Sequence, residues 1–184
     1  MSKAIYYLIL FSSFFIVACS GSKSKNEYPA IDVVGYIKGQ MKTLDSVPYG
    51  LLKVTERSGK LPDSTYLNKA SFRSHVTPFL LPGIEKSQLE ESYEETSFAD
   101  ANLGYFVITY QAKKEDQEIS QVVVYIRPDN NSIHQIYISG KFNPENEGEK
   151  KQLLWMHDKG CTIITSNELN SGSETPVTEK LIWQ

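Results

Sequence analysis

The sequence predicts an α+β fold, in which an N-terminal helix and a hairpin precede a mainly antiparallel meander sheet of about six strands. Two observations support this class. Apolar residues between Ile31 and Leu44 recur every three or four positions, as they do on one face of a helix. The second half of the chain alternates short β-branched and aromatic runs with turn-forming stretches. We expect the sheet to be curved, with helices on one face.

The first part of the domain predicts one long helix, one hairpin and a shorter helical segment. The helix is predicted from Pro29 to Leu44, and Pro48 prevents its continuation because proline disfavours helical geometry in the preceding residue. The runs "LLKVTER" and "DSTYLN", joined by "SGK", predict a hairpin with a more polar second arm. The stretch "ASFRSHVTPFLLPG" then predicts a short helix, or two turns, interrupted by Pro78 and Pro82.

The second half of the chain predicts the meander. Its six runs are "YFVITYQA", "ISQVVVYI", "SIHQIYIS", "QLLWMH", "CTIIT" and "TEKLIW". Stretches such as "KKEDQ" and "RPDNN" separate them and favour turns. A further strand is possible around Tyr93–Ala99.

Two turns predict the pairing of their strands. In "P-DNN-S", a left-handed Asn131 would place Val124 opposite Ile136. In "H-DKG-C", a left-handed Gly160 would place His157 opposite Cys161.

Both faces of the predicted sheet are apolar, whereas a sheet with one wet face alternates apolar and polar residues. The first face carries Val122, Val124, Ile126, Ile136, Ile138, Leu154, Met156 and Ile164. The second face carries Val123, Tyr125, Tyr137, Leu153, Trp155 and Ile163. In one interpretation the N-terminal helix covers one face, and sheet curvature or the second helical segment covers the other. In the other interpretation the second face forms a groove for an apolar ligand or a protein partner. In the latter case Tyr125, Tyr137 and Trp155 line the site.

The first residues have the proportions of a secretory signal. Lys3 gives a positive start, and the apolar run Ile5–Val17 is too short for a membrane span of about 20 residues. The stretch "SGSKSKN" after Cys19 is small and polar, as in a flexible tether. We expect a signal peptide at residues 1–18, a lipidated cysteine and tether at 19–28, and one domain at 29–184.

The four residues Ile16-Val17-Ala18-Cys19 resemble the lipobox of bacterial lipoproteins. The resemblance implies cleavage before Cys19, diacylglycerol on its sulfur, and a further acyl chain such as palmitate on the new amine. Two or more acyl chains anchor a protein stably to a bilayer. The resemblance therefore implies a protein of the bacterial cell envelope.

The lipobox start, "YPxID" and the closing "EKLIW" are similar to uncharacterised lipoproteins of Bacteroidota-type bacteria. Surface lipoproteins of that group tend to have acidic residues after the cysteine, whereas Lys23 and Lys25 stand here. The resemblance implies a domain on the outer membrane that faces the periplasm. The short stretch "SIHQI" and the order of elements also resemble the periplasmic lipoprotein-carrier fold, a curved half-barrel closed by helices.

Several kinds of chemistry find no support in the sequence. The net charge of −3 offers nothing to a phosphate backbone, so nucleic acid is not an expected partner. None of the three histidines has metal-ligand spacing from another, and no cofactor motif is present. His157 and Cys161 are the one candidate nucleophile pair, but a third orienting residue is missing, and a free cysteine is most often a small buried hydrophobe. We expect no catalytic residues.

These observations favour a membrane-anchored, non-catalytic binding module for an apolar ligand. The alternative is a scaffold or accessory subunit that docks a protein partner in an envelope complex. The bilayer, reached through acylated Cys19, is the other expected partner.

Replacing Cys19 by Ser should release the protein from membranes into the soluble fraction, because the acyl chains have no other attachment point. Membrane fractionation of cells that express the variant measures this. Cys161→Ala is the matched control and should stay with the membranes. A Cys19→Ser protein that remains in the membrane fraction at its precursor mass would indicate a signal anchor instead.

Overall fold

The computed structural model describes residues 30–142, 149–167 and 176–183. The predicted signal peptide, Cys19, the tether and Pro29 lie outside the described residues. The described helices are α1 (Val33–Ser46), α2 (Lys69–Val76) and α3 (Lys86–Ser92), with a 3-10 helix at Thr77–Leu80. The described strands are β1 (Leu51–Arg57), β2 (Asp63–Leu67), β3 (Tyr93–Asp100), β4 (Tyr105–Ala112), β5 (Ile119–Ile126), β6 (Ile133–Gly140), β7 (Glu149–Met156), β8 (Gly160–Asn167) and β9 (Val177–Trp183).

The nine strands form one open antiparallel sheet in the order β2-β1-β9-β8-β7-β6-β5-β4-β3. The predicted α+β class is confirmed. The sheet is larger than the predicted six-stranded meander, because the stretch at Tyr93 is strand β3 and the N-terminal hairpin joins the same sheet. That hairpin pairs through β1 with the last strand, β9.

Helix α1 begins where the sequence provides a cap. The Asp32 carboxylate accepts a hydrogen bond from the Gly35 amide at 2.8 Å and satisfies one of the free amides of the first turn. The helix buries Val34, Ile37 and Leu44, three members of the predicted stripe. It ends at Ser46, two residues before Pro48, as that proline predicts.

The helices pack on one face of the sheet, which we call the covered face. Buried side chains of all three helices, such as Ile37, Phe72 and Leu89, share one apolar cluster with side chains of the central strands. The strand residues in this cluster include Tyr110, Val122, Val124, Ile136, Ile138, Leu153, Trp155, Ile163 and Leu181. Burial of large apolar side chains at about 25 cal/mol per Å² makes this cluster the main source of stability.

The two edges of the sheet are polar or short. Strand β2 has five residues, and four of them are exposed. Strand β3 carries Glu94 and ends at Asp100. Edge strands of this kind oppose pairing with a further strand.

The two turn-based register predictions had different outcomes. Asn131 has a φ of 55° and Val124 pairs with Ile136, so the first prediction is confirmed. The second is wrong, because the loop is His157-Asp158-Lys159 and Met156 pairs with Gly160. Asp158, with a φ of 54°, is the left-handed residue. Aspartate tolerates that conformation, so the turn does not need a glycine.

Gly160 serves a different purpose from the predicted one. It lies buried in β8 opposite Ile182, and a Cβ atom there would overlap the carbonyl oxygen of Leu181 on β9. The absent side chain lets the backbones of β8 and β9 approach closely.

Gly160→Ala should therefore destabilise the protein by about 1–3 kcal/mol, because the overlap is with backbone that cannot move without disturbing the ladder. Gly39→Ala is the matched control: Gly39 is exposed in α1 with open space at its Cβ position. The control should stabilise the protein by about 0.5–1 kcal/mol through helix propensity. Urea unfolding measures both, and equal effects would contradict the close approach.

Candidate functional site

The sheet face opposite the helices, which we call the open face, has no described helix packed on it. Val107 and Val123 are buried on this face but do not belong to the helix-covered cluster. Side chains of neighbouring strands must therefore shield them. The open face is therefore the side of the sheet that the helix-covered core does not use.

Strand pairing arranges the open face in rows that run across the sheet. The apolar row passes from one edge to the other through Phe98, Val107, Tyr125, Gln135, Met156, Gly160, Ile182, Leu52 and Tyr66. Its two ends are aromatic and exposed, Phe98 at 53% and Tyr66 at 77%. Nine strands at about 4.8 Å spacing give this row a length of about 38 Å.

The neighbouring rows become progressively more polar. The next row contains Thr96, Thr109, Val123, Tyr137, Leu154, Thr162, Lys180, Val54 and Ser64. The third, polar row contains Glu94, Gln111, Gln121, Ser139, Gln152, Ile164, Thr178 and Glu56. The apolar surface is therefore a band with one polar border, as in many protein interfaces.

The predicted site residues do not share a face. Tyr125 and Tyr137 lie on the open face, but Trp155 lies fully buried on the covered face. Its ring contacts Phe79 and Trp183 edge-on or tilted, with centroids 5.3 Å away in each case. The shared placement was wrong because Trp155 pairs with Ile136, a residue of the covered face. A register change of one residue moves every side chain of a strand to the other face.

The cleft beside Tyr137 is lined by charged and polar side chains. Tyr137 borders an open cleft of about 300 Å³, whose other walls include Glu118, Ser120, Lys141 and Lys151. Charges of both signs suit a polar molecule or water better than an apolar ligand. The expected apolar groove is therefore not this cleft.

His157 and Cys161 are not the pair that the sequence suggested. Cys161 points into the covered face beside Trp155 and is 1% exposed. Burial raises the pKa of its thiol far above the ordinary value. His157 lies in the turn, and its Nε2 atom is 2.9 Å from the Asp158 carboxylate.

A cluster of polar side chains at the end of the sheet where the β5–β6 and β7–β8 turns lie escaped the sequence analysis. The Tyr36 hydroxyl lies 2.6 Å from Nδ1 of His157 and 3.3 Å from the carbonyl oxygen of Ile133. Burial, with a smaller contribution from Asp158, raises the pKa of Tyr36 to about 12. Tyr36 is therefore a hydroxyl at neutral pH and not a phenolate base. It connects α1 to the β7–β8 turn.

The other half of this cluster surrounds His134. A β-bulge leaves His134 without an opposite residue on β5. The pairing passes from Tyr125–Gln135 directly to Ile126–Ile133, so His134 is the extra residue of β6. The His134 ring stacks on Tyr105 with centroids 4.7 Å apart and planes at 9°. Nη2 of Arg127 lies 2.9 Å from Nδ1 of His134.

Arginine can only donate, so Nδ1 of His134 accepts the hydrogen bond and the proton of the neutral ring is on Nε2. Burial, followed by the charges of Arg127, Lys159 and His157, lowers the pKa of His134. We call Arg127, His134 and Lys159 the basic cluster. The only sequence signal for this cluster is the stretch "RPDNNSIH". Its turn brings Arg127, just after β5, close to His134, near the start of β6.

No group of three or more potential metal ligands occurs within residues 30–142, 149–167 and 176–183. In the same ranges, none of the helices has the length and apolar character that a bilayer crossing requires. The chain matches no protein-family model, no curated protein and no solved structure.

Cys161 should behave as an inert core residue. In the Cys19→Ser chain it is the only thiol, and a thiol reagent should label the native protein at least about a thousandfold more slowly than the urea-unfolded protein. The labelling rate should rise with urea in parallel with unfolding. Rapid labelling of the folded chain would contradict the burial and restore Cys161 as a candidate nucleophile.

Proposed function

We propose that the chain is a non-catalytic docking module, held on the bacterial envelope by acylated Cys19, which binds a protein partner through its open face. The observation that supports this function most directly is the edge-to-edge apolar row. Phe98 and Tyr66 at its ends are exposed, and Tyr125, Met156, Ile182 and Leu52 between them are half-buried. Monomeric proteins rarely leave apolar side chains of this extent partly exposed unless they bind something. The predicted location on the outer membrane, facing the periplasm, is part of the same proposal.

The shape of the site favours a protein partner over a small apolar ligand. Small-molecule sites are concave and bury most of the ligand surface. The open face contacts an occupant from one side, and Trp155, which was expected as a further wall, is buried elsewhere. A standard protein interface of about 800 Å² per partner is a patch roughly 30 Å across, and the row of about 38 Å is long enough to span it.

Catalysis finds no comparable support. The Tyr36–His157–Asp158 contacts are the most enzyme-like arrangement among the described residues. Since the pKa of Tyr36 is raised to about 12, this hydroxyl is a weak nucleophile and a weak base at neutral pH. The contacts are better explained as an attachment of α1 to the sheet.

A photo-crosslinking amino acid at Tyr125 should capture one discrete envelope protein in growing cells. The same amino acid at Gln111, on the polar row, should give no adduct. Met156→Lys should lower the adduct yield at least about tenfold, because a charge within an apolar interface costs more than 1.4 kcal/mol. Gln152→Lys, which places the same charge on the polar row of the same strand, should leave the yield unchanged.

Thermal unfolding of both lysine variants checks that the fold is intact. An adduct that survives Met156→Lys would rule out docking through the open face. Native mass spectrometry of the Cys19→Ser chain gives an independent test, because a co-purifying small apolar molecule would favour the ligand-binding alternative.

A further inference from the structure

The central part of the polar row consists of neutral side chains that form hydrogen bonds. On the four consecutive strands β4 to β7, its members lie directly opposite one another across the ladder. They are Gln111, Gln121, Ser139 and Gln152. Four strands at about 4.8 Å spacing make this part about 14 Å long. It therefore offers amide and hydroxyl groups along a line across the sheet.

Internal hydrogen bonds fix the orientation of several of these groups. Nε2 of Gln121 donates to Oε1 of Gln111 at 3.3 Å, and Nε2 of Gln111 donates to the carbonyl oxygen of Ser120 at 2.9 Å. The Ser120 hydroxyl donates to the carbonyl oxygen of Ser139 at 3.0 Å. Within the part of the chain that the structure describes, Oε1 of Gln121 and the Gln152 amide have no hydrogen-bond partner. Polar groups that are already held in place lose little side-chain freedom when they bind a ligand.

The cleft of about 300 Å³ places an aromatic ring beside these polar groups. Tyr137 precedes Ser139 by two residues on β6, so both side chains are on the same face of the sheet. Tyr137, Ser120, Ser139 and Gln152 all line the cleft. One cavity therefore brings together an aromatic ring, two hydroxyl groups and an unengaged amide.

A β-bulge at the start of β5 supplies one of the two hydroxyl groups. The pairing passes from Ile119–Gly140 directly to Gln121–Ser139, so Ser120 has no opposite residue on β6. The Ser120 hydroxyl lies 3.3 Å from that of Ser139. Bulges often re-aim a side chain next to a functional site.

We propose that the cleft and the central part of the polar row bind a neutral glycan chain, with one pyranose ring against Tyr137 and the neighbouring rings along the row. A pyranose ring has an apolar C–H face, which packs on an aromatic ring, and hydroxyl groups that both donate and accept. Amide and hydroxyl side chains also offer both donors and acceptors. The charged residues of the cleft include both signs, so Glu118 accepts and Lys141 donates hydrogen bonds to the same hydroxyl-rich ligand.

This inference goes beyond the proposed docking function and does not depend on it. The protein partner contacts the apolar row, whereas the glycan occupies the polar border at the other end of strands β5 to β7. On β7, Met156 belongs to the apolar row and Gln152 to the polar row. Variants of one strand therefore test the two sites separately.

Three tetrasaccharides are matched probes of the glycan site. Chitotetraose and cellotetraose share their linkage and differ in the N-acetyl group, whereas maltotetraose has the sugar of cellotetraose in another linkage. In an NMR titration of the Cys19→Ser chain, at least one of them should give saturable shifts of the amide signals of Gln121, Tyr137, Ser139 and Gln152. It should bind at least about tenfold more tightly than its own monosaccharide, because the further rings reach the row.

Tyr137→Ala should weaken binding of that tetrasaccharide at least about tenfold, because the ring contact is lost. Tyr137→Phe retains the ring and should keep the affinity within about threefold of the parent. Gln152→Ala, at an exposed position, should weaken binding about fivefold through the loss of hydrogen bonds. Gln88→Ala, at an exposed position of α3 on the covered side, is the control and should bind as the parent does.

Thermal unfolding of each variant checks that the fold is intact, and Gln152→Ala decides alone if Tyr137→Ala unfolds. Absence of saturable shifts with all three tetrasaccharides would overturn the glycan site and would not affect docking through the apolar row. Binding that both alanine variants leave intact, or shifts confined to the apolar row, would place the sugar elsewhere and also overturn the proposal. Met156→Lys should bind the tetrasaccharide with unchanged affinity, as expected for two separate sites.

Discussion

The pairing of β1 with β9 is the contact on which the arrangement of the remaining elements depends. It runs in register from Leu51–Trp183 to Arg57–Val177. The Lys180–Glu56 ion pair, 124 positions apart in the chain, lies across it. Closing so long a loop is tolerable because each doubling of loop length costs only about 0.6 kcal/mol. Packing in the core offsets this entropic cost, because Trp183 packs against Phe72 of α2 and Trp155 of β7. With β1 in place, the helices that flank the hairpin can cover one face, and only one.

Local patterns were sufficient to predict most individual elements. The stripe at Ile31–Leu44, the hairpin at "SGK" and the six later runs all correspond to described helices or strands. The "DNN" turn also fixed the β5–β6 register, because a short loop with one left-handed residue allows few alternatives. These features depend on residues close together in the sequence, where backbone preferences decide the outcome.

Features that depend on distant residues were not predictable in the same way. Eight residues separate β6 from β7, too many for a turn type to predict their register, and Trp155 was placed on the wrong face. The Tyr36–His157 contact joins residues 121 positions apart, and the bulge at His134 becomes visible only when both strands are paired. The placement of Tyr125 and Tyr137 on one face was thus predicted, whereas the basic cluster was not.

The polar edges of the sheet have a consequence for how the protein associates with its neighbours. Strand addition at β2 or β3 would let copies extend one another without limit, particularly when they are concentrated together. The exposed, five-residue β2 and the acidic β3 oppose this. An added strand leaves a new free edge, whereas a face that has bound one partner leaves no equivalent surface for the next. A domain that binds through its face and protects its edges forms complexes of defined size, so an apolar surface can remain available without leading to fibres.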